Sequence, residues 1–191
     1  MCCRNTLVSV DQQKKRGAQG VLIGIELFSG AGGLSLGAHN AGIRVSHAIE
    51  IAKAPSATFR LNNPRAMVIN EDIRRVDPLM IDFPQAPTVL FGGPPCQGFS
   101  TSNQKNRNRE NENNWLFEEF IRFVGALSPD LVVFENVAGI THTEKGYFCA
   151  ELEARLTQLG YYVSSIVADA FKCGVPQRRQ RFFCTAQGHR I

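Results

Sequence analysis

Short apolar runs punctuate the chain at Val21–Phe28, Val45–Glu50, Ala66–Asn70, Thr88–Phe91 and Asp130–Val137, and they read as buried strands. Between several of them lie stretches with helical spacing, at Gly33–Ala41, Ala52–Leu61 and Trp115–Leu127. In the last of these Leu116, Phe120, Phe123 and Leu127 recur on one face, while Glu118, Glu119 and Arg122 fall elsewhere on the circumference. A further helix at Tyr147–Leu159 carries Phe148, Leu152 and Leu156 at the same period. Strand-helix alternation of this kind predicts an α/β fold with a doubly wound, mostly parallel sheet covered on both faces. Two final strands, Tyr161–Ala168 and Arg181–Ala186, are joined by residues that include Gly174 and Pro176. That connection is too short for a crossover helix, so the last pair is predicted to be antiparallel.

Composition narrows the class. With 191 residues, 43% of them hydrophobic and 20% charged, the chain is an ordinary globular sequence of one domain or slightly more. Residues 1–20 are polar and aperiodic and are expected to form a flexible tail, with the ordered domain at 21–191. No apolar run is long enough to span a bilayer, and the N-terminus lacks a signal-peptide core. The six cysteines, at 2, 3, 96, 149, 173 and 184, form no CxxC pair. They fit neither a zinc site nor a disulfide scaffold, so no metal is expected and an intracellular setting is.

The net charge of +4 is unevenly placed. Residues 1–20 carry Arg4, Lys14, Lys15 and Arg16 against Asp11, and from Lys172 onward there are bases and no acid. The stretch between is net acidic. Basic ends suit a phosphate-bearing partner, although a solubilising tail would look the same.

The first predicted strand ends in Phe28-Ser29-Gly30-Ala31-Gly32-Gly33. A glycine-rich turn between a first strand and a first helix lets backbone approach a ligand and presents a helix N-terminus to it. The spacing is not the full GxGxxG of pyrophosphate binders, and no P-loop lysine follows. A ligand with a carboxylate and a ribose, such as S-adenosylmethionine, needs less phosphate machinery. Glu50 ends the second strand, where a carboxylate can accept both ribose hydroxyls, and Asp72 follows the third, within reach of an adenine amino group. The glycines alone would equally suit a tight packing turn; the two acids favour the cofactor.

After the fourth strand comes Gly92-Gly93-Pro94-Pro95-Cys96-Gln97-Gly98-Phe99-Ser100. Prolines and glycines hold this loop in a defined shape at the strand end where ligands collect in open parallel sheets. Cys149 and Cys184 read as small buried hydrophobes. Cys96, in a rigid polar loop, reads as an accessible nucleophile. Phe134-Glu135-Asn136-Val137 closes the fifth strand. A carboxyl group there is expected to have a raised pKa, useful for proton donation, although a salt-bridged strand-end acid is the plainer alternative. Gln177-Arg178-Arg179-Gln180-Arg181 opens the last strand, with Arg179 and Arg181 on one face and Arg178 on the other.

Taken in order, these segments resemble the cytosine-5 DNA methyltransferases over about residues 23–188. The resemblance implies a seven-stranded sheet of the S-adenosylmethionine-dependent methyltransferase type. It implies that the Cys96 thiolate adds to carbon 6 of a flipped cytosine while Glu135 protonates ring nitrogen 3. Carbon 5 then takes the methyl group. Loss of the carbon-5 proton and elimination of Cys96 release 5-methylcytosine and S-adenosylhomocysteine. Arg179 and Arg181 would hold the cytosine carbonyl and the catalytic loop, and Pro95, Gln97, Ser100 and Asn136 would border the base. The cofactor would lie against Phe28, Ser29, Gly30, Gly32, Gly33, Glu50, Ile51, Asp72, Ile73, Pro94 and Leu116. Residues 97–114 resemble a loop that closes over DNA. Asn113-Asn114-Trp115 departs from the proline and arginine often found there.

The resemblance also implies double-stranded DNA as partner, a restriction-modification setting, and a cytoplasmic location if the source is bacterial. Family members continue into a recognition domain and a returning C-terminal helix. The chain is therefore expected to be incomplete at its C-terminus, either truncated or one subunit of a split enzyme. A tRNA cytosine-5 methyltransferase and a non-catalytic regulatory module of the same fold are the alternatives.

Overall fold

In a computed structural model, residues 21–82, 87–95 and 116–188 are described; the expected tail at 1–20 lies outside them. The strands are β1 (Ile23–Leu27), β2 (Arg44–Ile49), β3 (Met67–Ile69), β4 (Thr88–Gly92), β5 (Leu131–Val137), β6 (Tyr162–Asp169) and β7 (Gln180–Gln187). They form one seven-stranded sheet in the order β3-β2-β1-β4-β5-β7-β6. The first five are parallel, and β7 runs antiparallel to both β5 and β6. The antiparallel last pair is as the short connection predicts. Because β1 sits between β2 and β4, strand order reverses there, which opens a crevice at the carboxyl ends of β1 and β4.

Among the described residues, four α-helices cover the sheet: α1 (Gly33–Asn40), α2 (Lys53–Asn62), α3 (Leu116–Leu127) and α4 (Tyr147–Gln158). β1 is buried along its whole length because helices pack on both its faces, which explains why it is apolar but for Glu26. On one face Ile25, Leu27, Leu90 and Phe134 meet Phe120, Phe123, Phe148 and Leu152 of α3 and α4. Phe120 and Phe134 pack edge to face there, 5.2 Å between centroids. On the other face a smaller cluster of Val45, Ala48, Phe59, Val89 and Phe91 lies under α1 and α2.

The structure departs from the sequence pattern in three places. The buried face of α3 is wider than four positions: Phe117, Ile121 and Val124 are buried, while Leu116 and Leu127 are only partly so. The cause is that α3 packs on α4 as well as on the sheet, with Phe117 edge-on to Phe148. The link from β3 to β4 contains two 3₁₀ turns, Ile73–Arg75 and Pro78–Met80, opened by Asp72 and Asp77 accepting backbone N–H groups. Arg122 of α3 ties this link down by donating to the carbonyls of Ile73 and Val76 at 2.8 and 3.1 Å. Finally, cover is incomplete on the α1–α2 side. Leu131, Val133 and Glu135 of β5 are only half-buried on that face, and Tyr162 and Ile166 of β6 are 70% and 60% exposed.

Gly92 and Leu27 are register partners, and a Cβ at Gly92 would collide with the Leu27 carbonyl. Gly92→Ala should therefore destabilise the fold by about 1–3 kcal/mol, since backbone cannot yield as a flexible side chain does. The check is a lower denaturant midpoint at unchanged slope. No helix among the described residues is long and apolar enough to cross a membrane.

Candidate active site

Two groups of side chains meet at the carboxyl edge of the central strands. The first is built on the turn from β1 to α1. Phe28, Gly30 and Gly32 have φ of 56°, 54° and 94°. A bulky residue in the left-handed region is held there at a cost of order 1–3 kcal/mol, a feature that clusters at ligand sites. The Ser29 N–H is anchored on the Ile49 carbonyl at 3.0 Å. Glu50 then secures the turn: its carboxylate accepts from the Gly30 N–H at 2.8 Å and the Ala52 N–H at 2.7 Å. Asn70, at the end of β3, donates to the carbonyls of Glu50 and Ile51 at 2.8 and 3.0 Å.

A carboxylate has about four lone-pair sites, so Glu50 can still accept from a diol. The Ser29 hydroxyl is buried without a partner in the turn, an arrangement that a polar ligand group would complete. These residues fit a nucleoside bearing a free ribose. Ile51 stands 63% exposed beside Glu50, whereas Ile73 is 4% exposed and belongs to the core. Phe28 and Leu116 are partly buried against that same core. The Asp72 carboxylate is paired with the Arg74 guanidinium at 2.6 Å, which holds its pKa below the ordinary aspartate range. Glu50→Ala should weaken S-adenosylhomocysteine binding by roughly 1.5–3 kcal/mol, the worth of hydrogen bonds to a charged acceptor, read as a Kd by calorimetry.

The second group follows β4 and β5. Leu27, Gly92 and Phe134 are register partners across β1, β4 and β5. Phe28, Gly93 and Glu135 each follow one of them, in adjacent rows about 4.8 Å apart. A Cβ on Gly93 would lie 2.6 Å from the Glu135 carboxylate, so only glycine lets that carboxylate stand against the β4 loop. Asn136 is buried and donates to the Pro94 carbonyl at 3.2 Å. Its own Oδ1 accepts from the Val137 N–H at 2.7 Å. Pro94 is thereby fixed next to Pro95, which is exposed. Cys96, Gln97, Ser100 and the 97–114 segment lie outside the described residues.

Glu135 forms an ion pair with Arg181 of β7, 2.9 Å from Nε. Burial nevertheless raises the Glu135 pKa above the ordinary glutamate value, against the opposing pull of Arg181 and Arg179. The carboxyl group is thus both salt-bridged and biased towards holding a proton. Arg178, on the other face, lies 5.5 Å over the Phe171 ring.

Comparison with known proteins decides the lineage of this site. The profile of the C-5 cytosine-specific DNA methylase family matches residues 22–190. The chain belongs to that family. It is 42% identical over 164 residues to Type II methyltransferase M.DdeI of Desulfomicrobium norvegicum, covering 83% of this chain and 39% of the relative. With Type II methyltransferase M.AquIA of a Picosynechococcus strain it shares 36% identity over 181 residues, 83% of this chain and 69% of the relative. A solved structure described as a prophage-encoded DNA modification methyltransferase of E. coli superposes with a TM-score of 0.75 at 32% identity, covering 87% of this chain and 47% of that one. The chain thus spans about two fifths of M.DdeI and M.AgeI, at 39% and 40%.

Within this C-5 cytosine methylase fold, sequence reasoning missed Glu26, Asn70 and Gly93. An acid inside the first apolar run was the available signal for Glu26, which is 2% exposed. Nothing in the pattern pointed to Asn70, whose role is backbone bridging. Of the two cysteines read as small buried hydrophobes, Cys184 is buried and Cys149 only partly so; burial pushes their thiols up to about 11 and 12.

Proposed function

We propose that residues 21–191 form the catalytic and cofactor-binding part of a DNA cytosine-5 methyltransferase using S-adenosylmethionine. The observation that carries this reading is the carboxyl of Glu135, raised in pKa, paired with Arg181 and held against Gly93, which precedes Cys96 by three residues. S-adenosylmethionine supplies an electrophilic methyl group. Glu50 and the 28–33 turn bind and orient it. Glu135 donates a proton to ring nitrogen 3 of a base flipped out of the duplex, Cys96 adds to carbon 6, and Arg181 with Arg179 steadies the ring carbonyl. Asn136 holds Pro94, and with it the start of the Cys96 loop. Cysteine chemistry of this type and a DNA substrate suit a reducing cytoplasmic setting.

We infer further that target recognition is supplied by protein outside these residues, as a further segment or a second chain. The strands and α-helices among the described residues are engaged in one sheet and the layers packed on it, which leaves groove reading to other parts of the protein. The half-open face of β5, β7 and β6 supports a covering element. The test combines the chain with duplex DNA containing 5-fluorocytosine and S-adenosylmethionine, alone and with a candidate second chain. The expected result is a denaturation-resistant protein–DNA adduct only in the presence of the second component. A specific adduct from the chain alone refutes the need for a partner. An adduct with tRNA in place of DNA moves the substrate class, and no adduct under any condition favours a non-catalytic module.

A further inference from the structure

Glu26 lies at the centre of β1 on the α1–α2 side, beside Ala48 of β2 and Phe91 of β4, and is 2% exposed. Its carboxyl group accepts a hydrogen bond from the Ser35 hydroxyl in the first turns of α1. The N-cap of α1 is Gly32, which offers no side-chain cap. Glu26 therefore joins the strand before the glycine turn to the helix after it. Glu50 grips the same turn from outside, through the Gly30 N–H at 2.8 Å. Two carboxyl groups thus address one short turn, one buried beneath it and one at its open side.

We propose that Glu26 is a positioning residue of the cofactor site, locking the glycine turn through Ser35 and taking up a proton when a ligand covers Glu50. This rests on the cofactor reading given above. Burial already moves the Glu26 pKa from 4.5 to about 7, with the charge of Glu50 adding to the rise. The other charged groups on the surrounding elements are Arg44 and His47 of β2, His39 of α1, and Lys53 and Arg60 of α2; β4 has none. Arg44, His39, Lys53 and Arg60 are exposed, and burial depresses the His47 pKa. A ligand seated on Glu50 excludes water, and repulsion between the two carboxylates is then less screened. The Glu26 pKa rises on binding, so by linkage affinity is constant well below pH 7 and falls as pH rises through it.

The experiment is calorimetric titration of S-adenosylhomocysteine into the chain between pH 6 and 8, repeated near pH 7 in buffers of different ionisation enthalpy. The wild type is expected to lose affinity by roughly threefold or more across that range and to take up a fraction of a proton. Glu26→Gln, which keeps an acceptor for Ser35, is expected to bind with neither effect. Because that variant could fail to fold, infrared difference spectra of the wild type are recorded as well. Ligand addition should produce a protonated-carboxyl band that persists in Glu135→Gln. Proton uptake retained in Glu26→Gln, or absent from the wild type along with the band, overturns the proposal. Absence of any binding at every pH overturns the cofactor reading first, and this inference with it; binding without proton uptake sinks this inference alone.

Discussion

Glu135→Gln is expected to slow methyl transfer by roughly 10²–10⁴-fold while leaving the domain folded, the range typical of a lost general acid. The carboxyl side chain is 25% exposed near the end of β5, so its replacement by an isosteric amide should leave the thermal midpoint little changed. The pH profile supplies the sharper check. Burial raises the pKa of Glu135, while Arg181 and Arg179 pull it down. In the wild type the rate should fall as pH rises through that elevated pKa, because the donor proton is then lost. Arg181→Ala removes a cation that favours the charged form, so the alkaline limb should move to higher pH even as the overall rate drops. A limb unmoved in Arg181→Ala, or a Glu135→Gln rate within a few fold of the wild type, would remove Glu135 from the proton-donor role.

Cys96→Ala is expected to have the largest effect, a loss on the order of 10⁴-fold or more, because covalent addition at carbon 6 is what makes carbon 5 nucleophilic. S-adenosylhomocysteine affinity should be retained, since Glu50 and the glycine turn are built from β1, β2 and the turn between β1 and α1, independently of this side chain. The adduct with 5-fluorocytosine DNA should vanish. Cys149→Ala and Cys184→Ala provide the contrast. Both thiols are held protonated by burial, with pKa values of about 12 and 11, and neither substitution should affect adduct formation. An adduct that survives Cys96→Ala would assign the nucleophile elsewhere.

The strands were legible because burial on both faces leaves a local signature. Ile23–Leu27 and Thr88–Gly92 are buried at every position and read as mostly apolar runs, with Glu26 and Thr88 the polar exceptions. The segments carrying the site were legible for a related reason. Glycine, proline and isolated acids at strand ends are locally disfavoured in elements and stand out from the runs they terminate, as Phe28–Gly33, Glu50 and Gly92–Cys96 do.

Other features arose only between distant segments. The width of the buried face of α3 depends on Phe148 of α4, and the tethering of the β3–β4 link depends on Arg122. Neither partner is near in sequence, so no periodicity could announce it. Glu26 shows the same limit in sharper form. Its position in an apolar run is visible along the chain, but its elevated pKa comes from burial beneath α1 and from Glu50, which reaches it through strand pairing.

By itself, then, the order of residues determined the strand and helix alternation, the antiparallel last pair and each strand's position to within a residue or two. Backbone period and turn chemistry act over a few residues and leave their mark there. Only the tertiary structure decided that Gly93 leaves room for the Glu135 carboxylate and that Arg181 pairs with it. It also decided that one face of β5, β7 and β6 stays half-open. Those outcomes depend on strand order and on the register that sets Glu135 one residue beyond the Gly92–Phe134 pair and opposite Phe183, two residues along β7 from Arg181. Register is set by packing of whole elements, a long-range property that no local stretch of sequence encodes.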